Sequence, residues 1–215
     1  MNVSVKIDLR PNLVPAHDQL RRPTCMAFAA SDAHAAHRPM PFETLSVEYA
    51  YYHASLKRAA FNPHSGIAMS DVLKAIEDDG QPVEAGWPYL HQLPGDLANY
   101  KPPANAGPVY KRESQIQYDL NAIRSVLKAN RPVLIAMNIS VEFFSAKADR
   151  VLRALASSPS ANRHALVVVG IGEEQNEEVF LVRNSWGRGW ADDGHAWVAN
   201  SYIAPRLISV GVMKK

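Results

Sequence analysis

The sequence predicts an α+β fold of two lobes, in which a helical N-terminal half faces a β-rich C-terminal half across a cleft. Two observations predict it. Helix-favouring runs with start and stop signals dominate the first half, whereas short runs rich in β-branched residues and separated by turns dominate after Pro132. The chain of 215 residues is also long enough to bury roughly 70% of the surface its unfolded form exposes, so a substantial core needs no staples.

A Pro-containing extended entry through Pro11 and Pro15 comes first. An Ala-rich run from Cys25 to about His37 favours helix, with Thr24 placed to cap it. Ser46 to about Lys57 gives a second helix, and Ser70 to Asp79 a third that stops at Gly80, where a left-handed residue is expected. A long Pro-containing stretch from Pro82 to about Tyr110 reads as surface wrapping. From Asp119 the period is helical again, with Leu120, Ile123 and Leu127 on one face and Asn130 at the stop. Five β-rich runs follow, Pro132 to Ile139, His164 to Ile171, Val179 to Arg183, His195 to Ala199 and Leu207 to Val212. They predict an antiparallel sheet or small barrel, interrupted by a helix around Val141 to Ala156. We expect one domain over 1–215, with a helical lobe at 12–112, a β-rich lobe at 113–215, and residues 1–11 crossing to the β-rich lobe.

Composition narrows the partners. Net charge is +2 and the densest basic cluster is Arg21-Arg22, too small for a nucleic-acid footprint. No apolar stretch approaches the ~20 residues of a membrane span, and the opening residues lack the pattern of a secretory signal. One cysteine excludes an intrachain disulfide and agrees with a reducing, cytoplasmic setting. No cofactor or metal is expected; His34 and His37, three apart, have no matching ligand set and read as a surface pair. Asp78-Asp79 and Asp192-Asp193 each precede glycine, which turn chemistry explains.

Cys25 sits at the start of a helix, where the macrodipole and free N–H groups favour thiolate over thiol. A lone cysteine more often packs as a small hydrophobe, so its context decides. Gln19 lies six residues earlier across a Pro-containing loop, either an exposed amide or a donor for negative charge developing on a carbonyl oxygen. His164 opens a buried strand and is either a satisfied edge histidine or a proton acceptor for the thiol. Asn184 ends the next strand and can orient that imidazole, with Trp186 covering the bond.

These segments resemble the papain-like cysteine peptidases. DQLRRPTCMAFAA is similar to their cysteine segment, NRHALVVVGIG to their histidine strand and VFLVRNSWGRGW to their asparagine segment. LSVEYAYYHA, SGIAMSDVLKAIEDDGQPVEAGWPY and NRPVLIAMNIS follow in family order, so the likeness spans nearly the whole chain. Cys25 to His164 is 164 minus 25, or 139 positions, within the roughly 130–150 of such enzymes; Asn184 lies somewhat further on, with room for an insertion around Glu173 to Glu178. The resemblance implies a papain-like two-lobe fold with a β-barrel-like second lobe and an active site in the cleft. It implies Cys25 as nucleophile, His164 as base, Asn184 as orienter and Gln19 in the oxyanion hole. Gly66, Ile67 and Ala68 would receive an extended protein or peptide substrate, with Trp186 also at the site.

Departures are specific. Where relatives have Cys-Gly-Ser-Cys-Trp, this chain has Arg22-Pro23-Thr24-Cys25-Met26, and the other disulfide cysteines are absent too. Ser65 replaces a frequent glycine, and Arg163 precedes the histidine where Asp or Asn is usual, which bears on substrate preference and pH range. The pattern is that of a disulfide-free, bacterial-type member; with family-like sequence starting within the first ten residues no inhibitory prosegment is expected here, so that either the enzyme is regulated otherwise or the sequence is an excised domain. Three functions follow: peptide hydrolysis; another thiol-dependent acyl transfer such as deamidation, transamidation or isopeptide cleavage; or a silent peptide-binding relative.

Overall fold

The computed structural model describes residues 1–38, 43–155 and 159–214. Its first helix, α1 (Cys25–Ala35), is apolar nearly all round, and such a helix must be buried on every side. It packs between α2 (Val47–Leu56), α3 (Met69–Asp78) and the sheet. Ser46 caps α2 by accepting from Tyr49 N, and Gly80 (φ +76°) ends α3 in the left-handed region. Tyr51 of α2, fully buried, donates to the carbonyls of Pro63 and Ser65 and so pins the loop that presents Gly66. His34 is buried and hydrogen-bonded to Gln81 Oε1 at 2.8 Å, so the expected surface pair with His37 is not one.

The second half, joined by the N-terminal strand, builds an antiparallel sheet from β1 (Ser4–Asp8), β2 (Ser114–Gln117), β3 (Val133–Ile139), β4 (Asn162–Glu174), β5 (Glu177–Arg183), β6 (His195–Ala199) and β7 (Leu207–Met213). Its order is β2-β7-β3-β4-β5-β6, with β1 also paired to β4. Helix α4 (Leu120–Lys128), capped by Asp119, packs Ile123 and Leu127 onto this sheet, and Asn130 (φ +56°) follows its end. The Gln175-Asn176 turn joins β4 to β5 with both residues at positive φ, as a tight two-residue hairpin requires.

Of the expected antiparallel sheet or small barrel, the structure has the sheet, which is not closed: the outer edge of β6 bonds the backbone of Leu152 on both sides (Leu152 N to Trp197 O, 2.8 Å; Ala199 N to Leu152 O, 2.9 Å), which occupies the edge that closure would use. Two other expectations need correction. The same bridge explains the short α5 (Val141–Phe144), because Leu152 is drawn into strand-like pairing; the far end of the expected helix, at Ala156, lies outside the described residues. Thr24 makes no capping bond, since its hydroxyl lies 2.9 Å from Tyr89 OH. A last short helix, α6 (Asn200–Ile203), leads to β7.

Candidate active site

The start of α1 and the start of β4 meet at Cys25. With no side-chain cap on α1, the backbone N–H groups of Cys25 and Met26 lie within reach of the sulfur, as does that of Ala165, the residue after His164. Burial nevertheless outweighs these donors and pushes the thiol above its ordinary value, against the expectation from the helix terminus alone. Burial likewise lowers His164 to about 4, partly opposed by its bond to Asn184. Each group is thus disfavoured as an ion by its burial.

Asn184 follows β5 and places Oδ1 2.7 Å from His164 Nε2. The same Oδ1 accepts from the backbone N–H of Ser185 at 2.8 Å, so this atom is the amide oxygen. Nε2 of His164 therefore carries the hydrogen, and Nδ1 is left as the basic nitrogen. Trp186 lies against the imidazole, with ring centroids 4.6 Å apart, and Phe143, Phe144 and Trp190 pack on Trp186 in turn. An aromatic shell thereby shields the His164–Asn184 bond from water, which strengthens it.

Gln19 is buried and held at both ends of its amide. Oε1 accepts from Ser185 Oγ at 2.7 Å, while Nε2 donates to Arg22 O at 2.8 Å and keeps a second hydrogen. Its main chain is fixed as well, since Gln19 N donates to Ser185 O and Tyr89 OH donates to Gln19 O. Leu20 next to it takes φ +53°, a costly conformation for leucine, supported by Asp18 Oδ1 accepting from Leu20 N at 2.8 Å.

A cavity of about 510 Å³ opens beside Cys25 and His164, and Gly66, Ile67 and Ala68 all line it. Its other walls are mainly apolar, from Met69, Ala136 and Ile208. Trp186 is not among the lining residues; it serves the imidazole instead. Arg163 lines the cavity from an exposed position, and its charge does not contribute to the shift of His164. Sequence reasoning missed Ser185, Tyr89, Phe143 and Phe144. Only Ser185, inside the asparagine segment, left a local signal.

Among the described residues, no group of three or more histidine, cysteine or acidic side chains is arranged to hold a metal. None of their helices is long and apolar enough to cross a membrane.

The sequence and the fold have counterparts in known proteins. The chain is 27% identical over 206 residues to a cathepsin L-like peptidase of Aedes aegypti (94% of this chain, 60% of that one). It is 24% identical over 185 residues to digestive cysteine proteinase 3 of Homarus americanus (85% and 57%). It thus spans a little over half the length of these curated relatives. Among solved structures, xylellain, a cysteine protease from Xylella fastidiosa, superposes with TM-score 0.78 at 21% identity, over 100% of this chain and 87% of the other. Digestive procathepsin L 3 of Tenebrio molitor does so with TM-score 0.79 at 17% identity (100% and 71%). At those identities the two structures speak for the fold. The family model described as papain family cysteine protease matches residues 5–206, and the chain belongs to that family.

Proposed function

We propose that the chain is a cysteine peptidase that cleaves within protein or peptide chains bound extended in the cleft. The observation that supports this best is the double acceptance by Asn184 Oδ1, which leaves His164 Nδ1 basic at the cavity that Cys25 lines. Proton transfer from Cys25 to Nδ1 gives thiolate and imidazolium. The thiolate attacks the peptide carbonyl carbon, and the oxygen, now negative, is received by the free Nε2 hydrogen of Gln19 and the backbone N–H of Cys25. The tetrahedral species collapses to a thioester as the imidazolium protonates the departing amine. Nδ1 then takes a proton from water, hydroxide adds to the thioester, and the carboxylic acid leaves as Cys25 regains its proton. No nucleic acid, membrane or cofactor has a part in this scheme.

Mass spectrometry of a mixed-peptide digest tests it. New N-termini are expected with wild type and not with Cys25→Ala. Products deamidated without new N-termini, or cleavage that survives in Cys25→Ala, would overturn the reading.

A further inference from the structure

The two spaces on either side of Pro23 are lined by arginines and by no acidic residue; the nearest carboxylate to the first, Asp71, is engaged by the Ala68 N–H at 3.2 Å and the Ser70 hydroxyl. In the cavity beside Cys25, Arg163 is the one charged residue apart from the Cys25 and His164 pair. Beyond Pro23, which lines both spaces, a groove of about 660 Å³ is lined by Arg21, Arg22, His64 and His91 without any acid. The whole chain has 23 basic and 21 acidic residues, so a one-signed cleft does not follow from its net charge. Arg22 is neutralised by Glu48. The side chains of Arg21 and Arg163 are exposed and make no ion pair or hydrogen bond among the described residues, as is also true of Lys101, Lys128 and Lys147 elsewhere, so what sets them apart is their place in the cleft lining.

Resting on the peptidase reading, we infer that the cleft selects acidic peptides. A glutamate side chain enters the cavity beside Cys25, and a second acidic residue lies further along the substrate, toward Arg21. Glutamate suits the cavity because its methylenes can lie on the apolar walls of Ile67 and Ala136 while the carboxylate stays at the wet rim that Arg163 occupies. A fully buried carboxylate would lose more in desolvation than a rim arginine returns. Guanidinium also offers a forked pair of donors to carboxylate oxygens, a geometry lysine lacks.

The test reads binding at Cys25 and needs no turnover. Peptide aldehydes carrying Glu, Gln or Lys next to a terminal glycinal add reversibly to the thiol: the sulfur–carbon bond forms and the thiol proton ends on the hemithioacetal oxygen. Protection of Cys25 from alkylation is then followed by mass spectrometry. The Glu aldehyde should protect wild type at about three- to fivefold lower concentration than the Gln aldehyde at low salt, with the difference shrinking by about 0.5 M salt. Arg163→Gln should abolish the difference, and Arg163→Glu should turn it toward the Lys aldehyde. With peptides extended by a further acidic residue, Arg21→Glu should remove the added benefit of that residue. Equal protection by Glu and Gln aldehydes, a Glu advantage that survives Arg163→Glu, or no protection by any aldehyde would overturn the inference. Failure of proteolysis, by contrast, shows only in the mixed digest.

Discussion

Arg183, the last residue of β5, donates from Nε to Asp32 Oδ2 of α1 at 2.6 Å, tying the helix that starts at Cys25 to the strand that delivers Asn184. The guanidinium is almost wholly buried and also bonds the carbonyls of Val14 and Pro15. Burial would raise the Asp32 carboxyl, but the Arg183 charge and His17 reverse this and hold it at about 2. A depressed carboxylate contributes stability above its unfolded value, and that contribution is lost as pH falls through the folded one. Urea unfolding should therefore lose about 2 kcal/mol between pH 3.8 and about 2 on account of Asp32. Asp32→Asn should cost about 3–5 kcal/mol at neutral pH, because it strands a buried guanidinium, and should flatten the acid slope. An unchanged slope would remove Asp32 from this role.

Arg22, at the position where the family resemblance would lead one to expect a cysteine, makes a buried tie. Its Nη2 donates to Glu48 Oε1 at 2.8 Å, and Tyr100 OH donates to the same oxygen. Leu90 closes the network through its N–H to Glu48 Oε2 and its carbonyl to Arg22 Nη1. Glu48→Ala should destabilise the fold by about 3–5 kcal/mol, and Arg22→Met combined with Glu48→Leu should cost much less than the single changes summed. Additive losses in chemical denaturation would show that the pair is not coupled.

Cys25 and His164 should titrate as one unit. The buried thiol is pushed up, so ionisation near neutral pH would require a neighbouring imidazolium, the role proposed for His164. Alkylation of wild type should show a reactive limb below the ordinary thiol range. In His164→Ala the rate should rise only at or above that range. Superimposable profiles would separate the two residues functionally.

Gln19→Ala should lower kcat by about 10- to 1000-fold with a smaller change in KM, because the lost donor serves charge that develops in the transition state. Ser185→Ala should fall between it and wild type, since only the bond that orients the Gln19 amide is lost. An unaffected kcat in Gln19→Ala would place the oxyanion donor elsewhere.

Gly66→Val should leave the fold intact, as a Cβ there would meet only Pro23 O at 3.9 Å, an ordinary contact. A raised KM and lowered kcat/KM in that variant would then report blocked approach of the substrate backbone. Wild-type kinetics would remove Gly66 from the binding surface.

Features governed by neighbours in the chain were legible without a structure. The start of α2 at Ser46, the left-handed stop at Gly80, the stop at Asn130 and the amphipathic face of α4 all depend on backbone and side chains within a few residues. The residue types at Gln19, Cys25, His164 and Asn184, with their spacing, pointed to the proposed chemistry for the same reason: it resides in functional groups. Tertiary structure alone decided what those groups experience. Tyr89 took the Thr24 hydroxyl away from the helix cap, Leu152 occupied the sheet edge that a barrel would have closed, and the Phe143 and Phe144 rings enclosed Trp186 over His164. Burial set the charge preference of Cys25 against the helix terminus. Each of these outcomes depends on partners distant in sequence, and desolvation by such partners outweighs the local dipole once the chain has packed.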